Sequence, residues 1–126
     1  MGTVTALRPD DRVQLDSGPI AAIYRDLGTA QAEQVVGRAL GELALTMGEL
    51  VERVRRRDLA DLPRHLRRLQ RMADHLGLIT LGQAAGDLRI CLDTGDPTAF
   101  AAVWARLTRI AERSLAGNDA LLDRTS

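Results

Sequence analysis

Val36, Leu40, Leu43, Met47, Leu50 and Val54 recur at spacings of three and four residues without a break. That spacing puts side chains on one face of an α-helix. Sustained over six positions it excludes a strand, whose faces alternate at every second residue. The stripe defines a long helix over residues 29–57, with Thr29 as its cap and Glu33 near its positive end. A helix with one apolar face has to bury that face against other elements, so the rest of the chain must supply them.

The same period supplies them. PIAAIYRDL, residues 19–27, reads as a short leading helix with Pro19 near its start and Gly28 as its end. After a turn around residues 58–61, Leu62, Leu66, Leu69, Met72, Ala73 and Leu76 form the apolar face of a third helix. Asp61 is its preferred cap, with Asp58 as the alternative, because Pro63 is tolerated only near a helix start; Gly77 closes it. A fourth helix covers residues 80–93, with Leu81, Ala84, Ala85, Leu88, Cys91 and Leu92 inward, and breaks at Thr94 and Gly95. Asp96 followed by Pro97 opens the last helix, whose apolar face is Phe100, Val103, Trp104, Leu107, Ile110 and Ala111. Aromatic residues are only 2% of the chain, so the core is aliphatic, as helix packing favours. No strand pattern survives. Short connections make consecutive helices antiparallel, and the expected fold is all-α: an up-down four-helix bundle with a short additional N-terminal helix. Residues 1–18 read as a loose N-terminal arm, 19–116 as the bundle and 117–126 as a frayed tail.

Gly37, Gly41, Ala44 and Gly48 form a second stripe on the long helix, about 100° round from the apolar one. Each mid-helix glycine costs about 1 kcal/mol against alanine. The stripe therefore points to close approach by another helix, either the short leading one or a second copy of the chain in a homodimer.

The third helix carries the most functional information. Opposite its apolar face stand Arg64, Arg67, Arg68, Arg71 and His75. Helices usually mix charge signs on their wet side, so a one-sign stripe reads as a surface that meets something negative. The charge is local: 17 basic residues balance 17 acidic ones over 126 residues. All 17 basic residues are arginine, so cationic chemistry here is guanidinium chemistry, with no lysine for a Schiff base. Cys91 is the only cysteine, which leaves no intrachain disulfide; among Leu88, Ile90 and Leu92 it reads as a buried inert thiol. With no apolar run of about 18 residues and no signal-peptide pattern, the expected location is cytoplasmic and no membrane is involved.

Enzyme chemistry is hard to place. The two histidines, His65 and His75, belong to no HExxH or carboxylate–histidine cluster at metal spacing, and no phosphate-cradling glycine loop occurs. Ser17, Ser114 and Ser126 have no histidine near them in the sequence to act as base. No cofactor or metal is expected. Overall neutrality and the lack of a helix-turn-helix signature weigh against nucleic acid.

The segment RRLQRMADHLG, residues 67–77, resembles the signature of histidine-containing phosphotransfer (HPt) domains: H-x-L-K-G, five residues, then glycine. Leu69 matches the leucine, and Leu76 with Gly77 matches the end at the right distance. Leu81, Ala84 and Leu88, Gly95 with Asp96, and the apolar last helix follow the family's downstream course. The likeness spans residues 19–115. The departures fall on the chemistry. The phosphoryl-accepting histidine is replaced by Arg67, the lysine by Gln70 and the glycine by Arg71. A guanidinium offers no nucleophilic lone pair at neutral pH and forms no phosphoramidate.

His65 lies about 200° round from Arg67, beside the apolar stripe, and reads as a partly buried packing or hydrogen-bonding residue; His75, about 80° round, reads as exposed. The resemblance implies a degenerate HPt-like module rather than an enzyme. Its helix face of Arg64, Arg67, Arg68, Gln70, Arg71 and His75 would dock a response-regulator receiver domain or a histidine kinase. The alternatives are active phosphotransfer through His75, and a helical adaptor or nucleic-acid-binding protein outside phosphorelay.

Overall fold

The computed structural model describes the backbone of residues 13–125 and the side chains of residues 13–116. The described chain is helical: α1 (Gly18–Leu27), α2 (Thr29–Arg55), α3 (Leu62–His75), α4 (Ile79–Thr94) and α5 (Pro97–Thr125). One isolated antiparallel bridge joins Leu15 and Leu78. Helix α3 packs on α4, α4 on α5, and α2 on both α3 and α1, while α5 returns to touch α2.

The apolar stripes meet in one core. Leu43 and Leu50 of α2, Leu62, Leu66 and Leu69 of α3, Leu81 and Leu88 of α4, and Leu107 of α5 are fully buried. Burying a leucine contributes about 1.5–3 kcal/mol, and these residues touch across all four long helices. Phe100, Val103 and Trp104 only border this cluster, so the centre is aliphatic as the composition requires. Thr46 is a buried polar exception. Its hydroxyl donates to the Glu42 carbonyl one turn back and lies 3.6 Å from Met72 Sδ on α3.

The helix ends follow local chemistry, with corrections. Asp96 caps α5 as read: its Oδ1 accepts from the backbone N–H of Thr98 and Ala99 at 3.0 and 3.1 Å. Asp61 precedes α3, but its carboxylate pairs with Arg64 at 3.5 Å and makes no capping bond. Thr29 does not cap α2. Gly28, at φ 81°, occupies the cap and Thr29 is already helical, because the sharp turn from α1 needs a residue free of Cβ constraint. The last helix does not fray at Gly117. Its backbone stays helical to Thr125, the alanines and leucines of SLAGNDALLDR outweighing one helix-interior glycine.

Two helices stop by the same device. After α3, Gly77 sits at φ 73°, its N–H donates to Asp74 O, and the Leu78 N–H donates to Ala73 O at 2.8 Å. After α2, Arg57 holds the equivalent left-handed position at φ 59°, with the Asp58 N–H donating to Arg53 O. An arginine in this region costs about 1–2 kcal/mol that a glycine does not.

The Gly77 turn also anchors residues 13–17, which the sequence places in the loose arm. The Asp16 N–H donates to Gly77 O at 2.7 Å, the Ile79 N–H to Gln14 O at 3.1 Å, and the Gln14 N–H to Thr80 Oγ1 at 2.7 Å. The rest of the arm, residues 1–12, lies outside the described residues.

The glycine stripe of α2 is not where the described helices meet. A Cβ on Gly37, Gly41 or Gly48 would touch nothing within 4 Å, so α1 does not use the space they leave. The close approach is between α3 and α4. A Cβ on Gly82 would lie 3.0 Å from Asp74 Oδ1 and 3.8 Å from Ala73 Cβ, and one on Gly86 would lie 3.1 Å from Gln70 Nε2.

Gly77→Ala is therefore expected to lose at least about 1–2 kcal/mol in urea unfolding, since the new Cβ meets both a disfavoured φ and the Asp16 carbonyl. Arg57→Gly is expected to gain about 1 kcal/mol in the same assay by relieving its left-handed backbone.

Candidate functional site

Helix α3 presents the cationic face from a rigid base. Leu62, Leu66, Leu69 and Ala73 are buried on one side, which fixes the rotation of the helix and turns Arg64, Arg67, Arg68, Arg71 and His75 outward. All five are exposed, and helix geometry places them within about one third of the circumference.

Ion pairing divides these arginines from their neighbours. Glu52 accepts from Arg55 at 2.5 Å and Arg56 at 2.9 Å, and Asp58 accepts from Arg53 at 3.3 Å. Asp61 lies 3.5 Å from Arg64. At the corner between α2 and α3, Arg53, Arg55, Arg56 and Arg64 thus each meet a carboxylate, and Arg57 meets no described one. Arg67, Arg68 and Arg71 form no ion pair or hydrogen bond with any described residue. The uncompensated charge of the stripe is concentrated on these three.

Gln70 is set apart from the other predicted contact residues. It stands on the α4 flank of α3, half-buried, and its Oε1 accepts from Arg89 Nη1 at 2.8 Å. Arg89 is the site residue that sequence reading missed. It lies 19 positions further on, in a helix whose face pattern says nothing about its neighbour; only the close α3–α4 packing over Gly82 and Gly86 joins the two. Arg89 pairs with no described carboxylate, so it adds a guanidinium from α4 to the edge of the α3 face.

The histidines separate as read. His75 is exposed at the end of α3. His65 is half-buried, with Nε2 sealed from solvent and without a hydrogen-bond partner. Cys91 is only partly buried; it lines a shallow apolar hollow with Leu59, Leu92, Pro97 and Phe100, which includes none of the arginines. Among the described residues no three His, Cys, Asp or Glu side chains are placed to hold a metal ion, and no helix is long and apolar enough to cross a membrane.

Comparison with family models, with curated proteins and with solved structures finds no match to this chain. The face has to be judged on its own chemistry. It has hydrogen-bond donors and positive charge, an exposed imidazole at one end, and no paired nucleophile and base.

Two measurements check this division of the charges. Alanine at Arg67, Arg68 or Arg71 should change unfolding free energy by less than about 0.5 kcal/mol, as expected for surface residues that hold nothing together. Glu52 behaves oppositely. The Arg55 guanidinium bonded to it, aided by Arg56, holds its carboxyl below the usual glutamate range. A depressed carboxyl stabilises the fold above its unfolded pKa of about 4.3, and the effect is lost as pH falls through the lower folded value. Glu52→Gln should accordingly be slightly less stable than wild type at neutral pH and equal to it near pH 3, with the gap shrinking in high salt.

Proposed function

We propose that this chain is an HPt-like signalling module that docks a response-regulator receiver domain or a histidine kinase through α3 and carries no phosphoryl group at the usual position. The observation that carries the reading is the uncompensated trio Arg67, Arg68 and Arg71 on an exposed helix face, with Arg67 where the resembled family holds its reactive histidine. The reading takes α2 to α5 as an up-down four-helix bundle. The packing of each long helix on the next, with α5 returning to α2, supports that arrangement.

A receiver domain's active site is a pocket of aspartates. A guanidinium offers five N–H donors in a planar fork that matches a carboxylate, so Arg67 would take up those carboxylates where a phosphohistidine otherwise sits. Charge complementarity of this kind mainly raises association rate and partner selection. The module would then occupy a receiver or kinase surface and modulate signalling by competition, in the cytoplasm, where such partners work.

Binding and phosphotransfer assays against the receiver domains and kinases of the source organism test the proposal. Wild type should bind at least one receiver or kinase, and Arg67→Glu should weaken that binding at least about tenfold and steepen no other property of the fold. Absence of any such partner, or unchanged affinity in Arg67→Glu, overturns the docking role. Acid-labile phosphate on wild type that disappears in His75→Ala overturns the non-phosphorylated role in favour of transfer through His75. Tight, strongly salt-dependent binding to duplex DNA would replace the reading with a nucleic-acid one.

A further inference from the structure

The seam between α3 and α4 holds a guanidinium and an amide N–H₂ that bond to no described carboxylate. Arg89 Nη1 donates to Gln70 Oε1 at 2.8 Å. A guanidinium only donates, so the Gln70 oxygen has to face Arg89 and its Nε2 amide is left facing the other way with two N–H groups. No described residue accepts from Nε2, and it is not sealed from solvent. Gly86 makes this placement possible, since a Cβ there would stand 3.1 Å from Nε2. Arg67 lies one turn before Gln70 on the same flank of α3, also without a described partner.

We infer that Arg67, the Gln70 amide and Arg89 form a subsite for a carboxylate on an acidic protein surface. Arg89 acts in it as the positioning residue that aims the amide. The inference rests on the reading of α3 as a docking face, and it extends that face onto α4.

The choice of an acidic protein over a polyanion comes from what bounds the seam. Exposed Asp74 stands one turn beyond Gln70 on α3, and exposed Asp93 stands one turn beyond Arg89 on α4. These carboxylates close the positive surface at both ends. A compact cluster of aspartates or glutamates fits between them, whereas the phosphates of a nucleic acid, repeating along a rod, would run into negative charge on either side.

The test uses the full-length, isotope-labelled protein and a capped hexa-aspartate peptide, followed by NMR of side-chain N–H groups. In wild type the Gln70 amide and the Arg67 and Arg89 Nε–H signals should shift together and saturate. Gln70→Glu is the decisive variant. It keeps the oxygen bonded to Arg89, now charge-assisted, so its melting temperature should be unchanged or higher. It also exchanges the free N–H₂ for a second acceptor, so affinity for the peptide and for the receiver should fall at least about tenfold. Arg89→Met, which removes the guanidinium and keeps a long side chain, should weaken peptide binding and collapse the distinct Gln70 amide signals as that group loses its fixed orientation.

Unchanged peptide affinity in Gln70→Glu overturns the inference. So does a wild-type spectrum that ignores the peptide, or one that responds more strongly to inorganic phosphate. If Arg67→Glu abolishes receiver binding while Gln70→Glu does not, the seam fails and the docking role stands; if neither matters, both fail.

Discussion

The turn at Gly77 governs the geometry of the molecule's most informative surface. Its left-handed backbone lets the Leu78 N–H reach back to Ala73 and reverses the chain within three residues. Its carbonyl accepts from Asp16, and the strand-like segment 13–17 ties Leu15 to Leu78 and Gln14 to Thr80. A tight, braced reversal brings α4 down along α3 at a separation that only small residues permit. Gly82 and Gly86 then take positions where a Cβ would crowd Asp74 and Gln70. The Gln70–Arg89 bond, and with it the edge of the cationic face, follows from that spacing.

The charges of the chain are arranged in two ways that a net charge of zero conceals. Around the α2–α3 turn each carboxylate is spent on an arginine: Glu52 on two, Asp58 and Asp61 on one each. Such exposed pairs add little stability, but they give Arg53, Arg55, Arg56 and Arg64 each a carboxylate and leave Arg57 without a described one. One turn further along α3 no described carboxylate reaches Arg67, Arg68 or Arg71. The uncompensated charge of the α3 stripe is therefore confined to a short patch. A short patch suits recognition of a compact acidic surface better than non-specific attraction to a long polyanion.

Legibility differed by residue. The outward turn of Arg67, Arg68 and Arg71 could be read directly, because burial of Leu62, Leu66 and Leu69 and the 3.6-residue period fix where every other side chain of α3 points. The Asp96–Pro97 start of α5 and the glycine stop at residue 77 were equally readable, since each involves groups within a few positions of one another. The glycine stripe of α2 does not foretell the packing of α1. Gly37, Gly41 and Gly48 share a face and suggest close packing of α1, yet no described residue lies over them; Gly82 and Gly86, which with Ala85 share a face of α4 at the same four-residue spacing, are the ones in tight contact, with α3. Thr29 looked like a cap, but the backbone reversal at Gly28 displaced it. The arm at 13–17 lacks any period, so its bonds to the α3–α4 turn had no local signal.

What the sequence determined by itself is thus the all-helical class, the buried and exposed face of each long helix, and the cationic character of α3. All of these depend on interactions spanning one or two turns, for which residue spacing is sufficient. What only the tertiary structure decided is which helices approach closely, which arginines find carboxylates, and that Arg89 of α4 joins Gln70 of α3. Those outcomes depend on the register between helices far apart in sequence, and periodicity within a helix carries no information about that register.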